Sequence, residues 1–271
     1  MKKVLAVIDA DILLYRVCSM VEQAIDWGDD RWTLHADARE AKLAIDSEIS
    51  SLCQSVGASR CVLCFTAERN WRTVVYKDYK ANRKSVRKPV CFVPVKSYLL
   101  NEYDTMTESD LEADDCIGLI ATGPKSRWRG CSQVVVISED KDLRSIPGLL
   151  FNPGKGSMTQ VTNAEADRFH LYQTLVGDAV DNYGGCPGIG PVKAERLLET
   201  SPTWETVVSA YEEAGLSEAD ALTQARVARI LRHREYNFRT KEISLWKPRS
   251  IKSRTRAPER SSTPARSETP E

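Results

Sequence analysis

The sequence predicts an α/β protein with a central, mainly parallel sheet, helices on both faces of the sheet and a helical C-terminal part. Three short apolar runs, at residues 4–8, 60–65 and 133–138, have the length and composition of buried parallel strands. The segments between them show helical periodicity, and strands that alternate with helices are typical of a covered parallel sheet. A chain of 271 residues is long enough to bury a substantial core in this arrangement.

The other elements follow from periodicity and turn signals along the chain. The segment at residues 38–55 is the clearest amphipathic helix, because Ala41, Ile45 and Ile49 recur four positions apart. Further helices are predicted at residues 12–21, 94–103, 109–122 and beyond 164, a fourth strand at 149–152, and a Gly/Pro-rich break at 184–191.

Composition restricts the class of protein. Hydrophobic residues make up 42% and charged residues 28% of the chain, which is ordinary for a soluble globular protein. The formal net charge is zero, so the total charge does not by itself indicate a nucleic-acid partner. Residues 247–271 contain seven Lys or Arg, three Glu and almost no apolar side chains, so we predict a disordered basic tail. No apolar stretch approaches the roughly 20 residues of a membrane span.

The cysteines do not indicate a disulfide framework. Eight are present, several of them inside apolar runs, and no secretory signal is recognisable, so we expect reduced thiols in the cytosol. Cys61 and Cys64 form an isolated CxxC on a predicted strand, where residues three apart point to opposite faces. A zinc or redox centre is therefore not expected there.

Acidic residues recur where the predicted strands end and where one predicted helix begins. In parallel sheets functional residues gather at the carboxyl edge, so these acids are expected to converge. Carboxylate oxygens are the ligands that hard divalent cations prefer, and two such ions about 4 Å apart can hydrolyse a phosphodiester. The acids are Asp9, Asp11, Glu112, Asp114, Asp115, Asp140, Asp142, Asp178 and Asp181.

Each acid also has an ordinary structural explanation. Glu112 follows Ser109 by three residues, which is a capping-box spacing, and acids in a first helical turn are favoured by the helix dipole. The strand-end acids could be turn or cap residues, and Asp178 and Asp181 could be a surface pair. The joint pattern favours a metal site over these separate explanations.

The segment at residues 69–88 is basic with interleaved aromatic residues. It contains eight Lys or Arg against a single acid. Such a segment can neutralise phosphates, and its rings can stack on unpaired bases. The alternative is a solvated charged helix. The candidate nucleic-acid contacts are Arg72, Tyr79 and Lys84, and the whole run follows the second strand directly, which would place it beside the predicted acidic edge.

A glycine-rich connection follows Asp181. Glycine permits positive φ and close backbone approach, and Pro191 suits the first turn of a new helix. The free amides of such a helix start can bind phosphate without reading sequence. Gly188, Gly190 and Lys193 are the candidate contacts, and an ordinary tight connection between helices is the alternative.

At this point the chain resembles the 5′-nuclease superfamily, which includes flap endonucleases and the 5′-exonuclease domain of bacterial DNA polymerase I. Within it the resemblance is to the 5′→3′ exonucleases of short-tailed T-odd coliphages. It extends from Val4 to Trp246. It rests on the motifs VIDAD, FTAERNWR, YKANRK, LEADDCIG, ISEDKDL, VGDAVDNYGG with PGIGPVKA, and ARILRHREYNFRTKEISLW.

The resemblance implies roles for the matching positions. Lys80 and Arg83 match basic residues of a helical arch over the active site, and residues 188–194 match a turn that grips duplex backbone, often with bound K⁺. The first metal-binding group would comprise Asp9, Glu112, Asp114, Asp115 and Asp140, and the second Asp142, Asp178 and Asp181.

The resemblance also implies a domain organisation. A PIN-like catalytic domain with the arch at about residues 69–90 would occupy residues 1–162. A helical DNA-binding subdomain with a helix–hairpin–helix-type turn would follow at 163–246, and the tail at 247–271. One position departs from the family, which usually has an Asp just after the second strand, where this chain reads Thr66-Ala67-Glu68. Either Glu68 replaces that ligand or it is missing, and the role of Asp11 is open.

The implied function is a Mg²⁺-dependent 5′→3′ exonuclease on duplex DNA, with Mn²⁺ able to substitute. Activity on RNA in RNA–DNA hybrids and a location in the cytoplasm of a phage-infected bacterial host are implied as well. A structure-specific flap endonuclease and a non-catalytic DNA-binding relative are the alternatives. An RNA-cleaving toxin with a similar acidic sheet is a further one, although such domains are usually shorter and lack the glycine-rich connection.

Overall fold

The computed structural model describes residues 3–83, 87–124, 128 and 130–248. Its centre is a six-stranded sheet in the order β5-β4-β1-β6-β7-β8. The strands are β1 (Val4–Asp9), β4 (Ala58–Cys64), β5 (Thr105–Met106), β6 (Gln133–Ile137), β7 (Gly148–Asn152) and β8 (Ser157–Val161), and a separate hairpin is formed by β2 (Gln23–Asp26) and β3 (Trp32–His35).

The sheet is mainly parallel, as the sequence predicts. Strand β1 pairs in parallel with both β4 and β6, and β6 pairs in parallel with β7. Only the edge strand β8 runs antiparallel, against β7. The central strands are continuous apolar runs because both faces of the sheet are covered.

Helices lie on both faces of the sheet. Alternate residues of β1 serve the two sides: Ala6 and Ile8 pack into one core, and Leu5 and Val7 into the other. The helices are α1 (Ala10–Val21), α2 (Ala38–Ser55), α3 (Arg72–Val75), α4 (Phe92–Glu102), α5 (Ala113–Ala121), α6 (Asn163–Val176), α7 (Pro191–Thr200), α8 (Trp204–Glu213) and α9 (Glu218–Ala228). The first core contains α1, α2 and α4, and the second contains α5.

Helices α6 to α9 share a third core, in which Leu175, Leu198 and Tyr211 are fully buried or nearly so. The chain then returns to the sheet, and Leu231 and Tyr236 pack into the same core as α5. The predicted 163–246 segment therefore packs into the sheet core as well as into a core of its own. None of the helices in the described part of the chain combines the length and hydropathy that a bilayer crossing requires.

Two exposed elements were not predicted from the sequence. The β2–β3 hairpin carries exposed Trp27 and Trp32, and β8 is exposed at four of its five positions. None of these strands is a continuous apolar run, and only β3 alternates apolar and polar residues, over just four positions. Their strand structure depends on pairing with a neighbour, which a single sequence segment does not reveal.

The segment at 69–90 differs from a long helical arch. Its described residues form the four-residue helix α3 and a 3₁₀ turn at Ala81–Arg83. Lys84 lies outside the described residues, and so does the predicted tail beyond Pro248.

Candidate active site

A cavity of about 360 Å³ opens at the carboxyl edge of the sheet. We call it the carboxylate cleft. It is lined by the basic residues Lys80, Arg83 and Lys141 and by Thr66, which follows β4. Its acidic lining residues are Asp9, Asp11, Glu112, Asp114, Asp140, Asp142, Asp178 and Asp181. The structure thus brings together seven of the eight predicted metal-binding acids and adds Asp11.

The acids reach the cleft because strands and helices end or begin there. Asp9 is the last residue of β1 and caps α1, since one carboxylate oxygen accepts a hydrogen bond from the backbone N–H of Ile12 (3.3 Å). Its other oxygen accepts from the hydroxyl of Ser138, just beyond β6 (3.3 Å). Asp140 caps the following 3₁₀ turn by accepting from the N–H of Asp142 (2.8 Å). Capping and cleft lining are therefore combined in the same residues.

The capping box of α5 lies three residues later in the chain than predicted. Helix α5 starts at Ala113, so Glu112 is its N-cap instead of Ser109. Asp115 takes the third helical position and completes the box by accepting a hydrogen bond from the N–H of Glu112 (3.3 Å). Asp178 and Asp181 lie on a turn after α6, where Asp178 accepts hydrogen bonds from the N–H groups of Val180 (2.7 Å) and Asp181 (3.3 Å).

Burial and mutual repulsion change the protonation of the cleft acids. Burial raises the pKa of Asp9 to about 7, and the nearby charges of Asp11 and Asp140 add to the rise. Burial, followed by the charge of Asp140, likewise raises the pKa of Asp142 to about 7. The pKa of Asp114 is also well above its usual range, mainly through burial and the charge of Asp9. Such a group of acids attracts cations.

Three basic side chains partly neutralise the cleft. The Lys80 ammonium bonds to Glu112 and lies 3.6 Å from Asp181, while Arg83 pairs with Asp181 (2.5 Å) and Lys141 with Asp178 (3.1 Å). Burial alone would raise the pKa of Glu112, but the cations Arg72 and Lys80 outweigh it and lower the pKa to about 2. Glu112 is therefore ionised at any physiological pH.

Asp115 does not line the cleft, which corrects its assignment to the first metal group. Its side chain is fully buried and forms a two-pronged pair with Arg72 (2.7 and 2.8 Å). It also accepts hydrogen bonds from the indole N–H of Trp71 (3.0 Å) and the backbone N–H of Leu231 (3.0 Å). Asp115 holds α5 to its neighbours, whereas the adjacent Asp114 faces the cleft.

The DNA contacts predicted for Arg72 and Tyr79 are wrong as surface contacts, because both side chains are buried. Arg72 is 2% exposed and Tyr79 is 5% exposed. The Tyr79 hydroxyl is hydrogen-bonded to Glu112 and Asp181, at 2.9 Å in each case. The ring supports two cleft acids and is not free to stack on a base.

The glycine-rich connection has the predicted form. Gly188 has φ of 75°, Gly190 is the N-cap of α7, and Pro191 occupies the first turn. Ile189 is buried and anchors the turn, while Lys193 is exposed beside it. DNA binding by Gly188, Gly190 and Lys193 stays a prediction.

Sequence reasoning missed Thr66 and Lys141 and left Asp11 without a role. Lys141 had a signal, since it lies between two strand-end acids and its neighbours both line the cleft. Glu68 is exposed and lines a separate surface hollow with Arg69 and Asn70, so it is not a cleft acid.

The chemistry of the cleft suits hard divalent cations. Its candidate ligands are all oxygen donors, and one buried oxygen of Asp142, Oδ1, has no hydrogen-bond partner among the described residues. No three acids in the described ranges are already as close as a closed metal shell requires.

The fold and this acidic edge define a nuclease-type hydrolase. A family model described as "5'-3' exonuclease, N-terminal resolvase-like domain" matches residues 4–149. The chain belongs to this 5′-3′ exonuclease family and is a nuclease.

Two phage proteins are similar over nearly the whole length. The exodeoxyribonuclease of Enterobacteria phage T3 is 33% identical, over 92% of this chain and 94% of that protein. The exonuclease of Escherichia phage T7 is 32% identical, over 91% and 94%. A structure of the bacteriophage T5 flap endonuclease with DNA and metal ions has a TM-score of 0.65 at 15% identity, covering 83% of this chain and 89% of that one. That likeness confirms the fold.

Proposed function

We propose that the chain is a Mg²⁺-dependent 5′→3′ exodeoxyribonuclease that hydrolyses duplex DNA from its 5′ end with two metal ions. The convergence of eight acids from β1, α1, the start of α5, the turn after β6 and the turn after α6 carries this proposal. Two of these acids have pKa values raised to about 7, so the cleft is poorly neutralised by the protein itself. Divalent cations supply the missing positive charge.

The cleft acids would divide between the two ions. Asp9, Glu112, Asp114 and Asp140 would hold one ion, and Asp142, Asp178 and Asp181 the other. When bound, the ions supply hydroxide from water at neutral pH and stabilise the leaving oxygen. Lys80 and Arg83 line the cleft, where their charges can orient the scissile phosphate. The products would carry 5′-phosphates.

Duplex DNA would be held outside the cleft by its backbone. The exposed turn at Gly188 and Gly190 leads into α7, whose first amides are free to bind phosphate. K⁺ at this turn, Mn²⁺ in place of Mg²⁺, and activity on RNA–DNA hybrids belong to the same proposal. A cytoplasmic location in an infected bacterial host stays a prediction.

A structure-specific 5′-flap endonuclease is the second candidate. The flap endonuclease Xni of Shewanella piezotolerans is 30% identical over 56% of this chain and 63% of that protein. A non-catalytic DNA-binding relative is disfavoured, since a pure binder has no use for clustered carboxylates beside phosphate.

The test is a nuclease assay on 5′-labelled and 3′-labelled duplexes with Mg²⁺ or EDTA. We expect Mg²⁺-dependent release of short 5′-labelled products, and loss of activity in an Asp114→Asn/Asp140→Asn double variant. A substrate with a long 5′ flap separates the candidates: a single cut at the junction, with blunt duplex untouched, would establish the flap endonuclease. DNA binding without cleavage in any divalent metal would exclude both nucleases.

A further inference from the structure

The carboxyl edge of the sheet lacks an acid of its own at β4. Strand β1 contributes Asp9, and the segment after β6 contributes Asp140. Strand β4 ends at Cys64, and the chain that follows it carries no acid at Thr66 or Ala67. Thr66 lines the carboxylate cleft, and the next acid, Glu68, points into a different surface hollow.

Asp11 fills this position from the neighbouring element. It lies in the first turn of α1, lines the cleft, and accepts a hydrogen bond from the backbone N–H of Thr66 through Oδ2 (2.8 Å). Helix α1 is already capped by Asp9, so Asp11 is not needed to satisfy the helix start. Its side chain is therefore directed across to the end of β4.

Within the described ranges, the charge of Asp11 has no basic partner. Lys80, Arg83 and Lys141 pair with other cleft acids. Among the described residues, Oδ1 of Asp11 has neither a hydrogen bond nor an ion pair, although its carboxylate lies close enough to that of Asp9 to repel it. An orientation fixed by Thr66 with one free oxygen beside another carboxylate is the arrangement of a preoriented cation ligand.

We propose that Asp11 is a metal-binding residue that shares a divalent cation with Asp9, supplying the carboxylate that β4 lacks. This inference rests on the proposed function of the cleft. The competing explanation is structural: Asp11 would only fix the loop after β4 through the Thr66 hydrogen bond. The two explanations differ in whether the charge of Asp11 matters once that hydrogen bond is kept.

Asp11→Asn separates them, because an amide oxygen can still accept from Thr66 while the charge is removed. Asp11→Ala removes both, and Glu68→Gln is the matched control for loss of an acid near β4. Mn²⁺ binding to the full chain would be followed by electron paramagnetic resonance without DNA. Melting temperatures and Mn²⁺-dependent cleavage would be measured on the same samples.

We expect Asp11→Asn to lower Mn²⁺ affinity by about 10- to 100-fold, the range found when groups supporting a metal site are replaced. Its melting temperature in EDTA should not fall, and Glu68→Gln should bind Mn²⁺ normally. Normal Mn²⁺ binding by Asp11→Asn, with weakened binding only in Asp11→Ala, would overturn the role of Asp11 and leave the proposed nuclease intact. A wild-type protein that neither binds Mn²⁺ nor cleaves would overturn both.

Discussion

Arg72 shows how one buried side chain can join three parts of the molecule. Its guanidinium donates to Asp115 and Glu112 on α5, and to the backbone carbonyls of Val227 (2.9 Å) and Arg229 (2.6 Å) at the end of α9. A planar guanidinium with five donors suits this role, and lysine could not reproduce the two-pronged pair with Asp115.

Arg72→Ala should therefore destabilise the protein by about 3–5 kcal/mol, since it leaves Asp115 as an uncompensated buried charge. The free energy of unfolding in urea is the measurement. Arg69→Ala is the matched control, because the side chain of Arg69 is 79% exposed in its pair with Asp110 and such pairs contribute about 0–1 kcal/mol. Equal losses in the two variants would contradict a special role for Arg72.

At the scale of elements, the strand ends and the acids that follow them were predictable. Continuous apolar runs identify β1 and β6, and the acids next in sequence are carried to the same edge by parallel pairing. Asp114 and Asp115 point in directions about 100° apart around the axis of α5, so only one of them can face the cleft directly. The sequence does not show which one does. The burial of Arg72 was not predictable either, since its partners lie 43 and 155 residues away along the chain.

Helix α7 is the element on which the predicted backbone contact depends. Lys193→Ala should weaken binding to duplexes of any sequence. It should also reduce the slope of the logarithm of the binding constant against the logarithm of the salt concentration by about 0.9, as loss of one phosphate contact requires. Fluorescence anisotropy in EDTA at several salt concentrations would measure both. Lys3→Ala is the control, because Lys3 is exposed just before β1, at the opposite edge of the sheet. An unchanged slope for Lys193→Ala would remove α7 from the DNA surface.

At the scale of the whole molecule, the carboxylate cleft is where the sheet and the C-terminal helices meet. Asp9 and Asp142 come from the sheet side, whereas Asp178 and Asp181 follow α6. Tyr79 bridges the two sides through its bonds to Glu112 and Asp181. A cation bound between these acids would stabilise the association of both parts, and anything that protonates the acids would oppose it.

Stability should therefore depend on pH and metal together. Burial, aided by neighbouring charges, raises the pKa of Asp9 and of Asp142 to about 7, against about 3.9 in an unfolded chain. Without metal, the native state retains protons that the unfolded chain has released. The stability from these two groups is thus full below about pH 4 and is lost as the pH rises through about 7. Glu112, with its pKa lowered to about 2, does not titrate in this window.

Divalent cations should reverse this loss, because they bind the deprotonated carboxylates and compete with protons. Melting temperatures in EDTA should fall between about pH 5 and pH 7, and the increase caused by Mg²⁺ should be larger at about pH 8 than at about pH 5. Asp142→Asn should reduce both effects, whereas Asp30→Asn in the exposed β2–β3 hairpin should change neither. A Mg²⁺-induced increase of equal size at both pH values would mean that the cleft acids are already ionised, and that burial does not set their protonation.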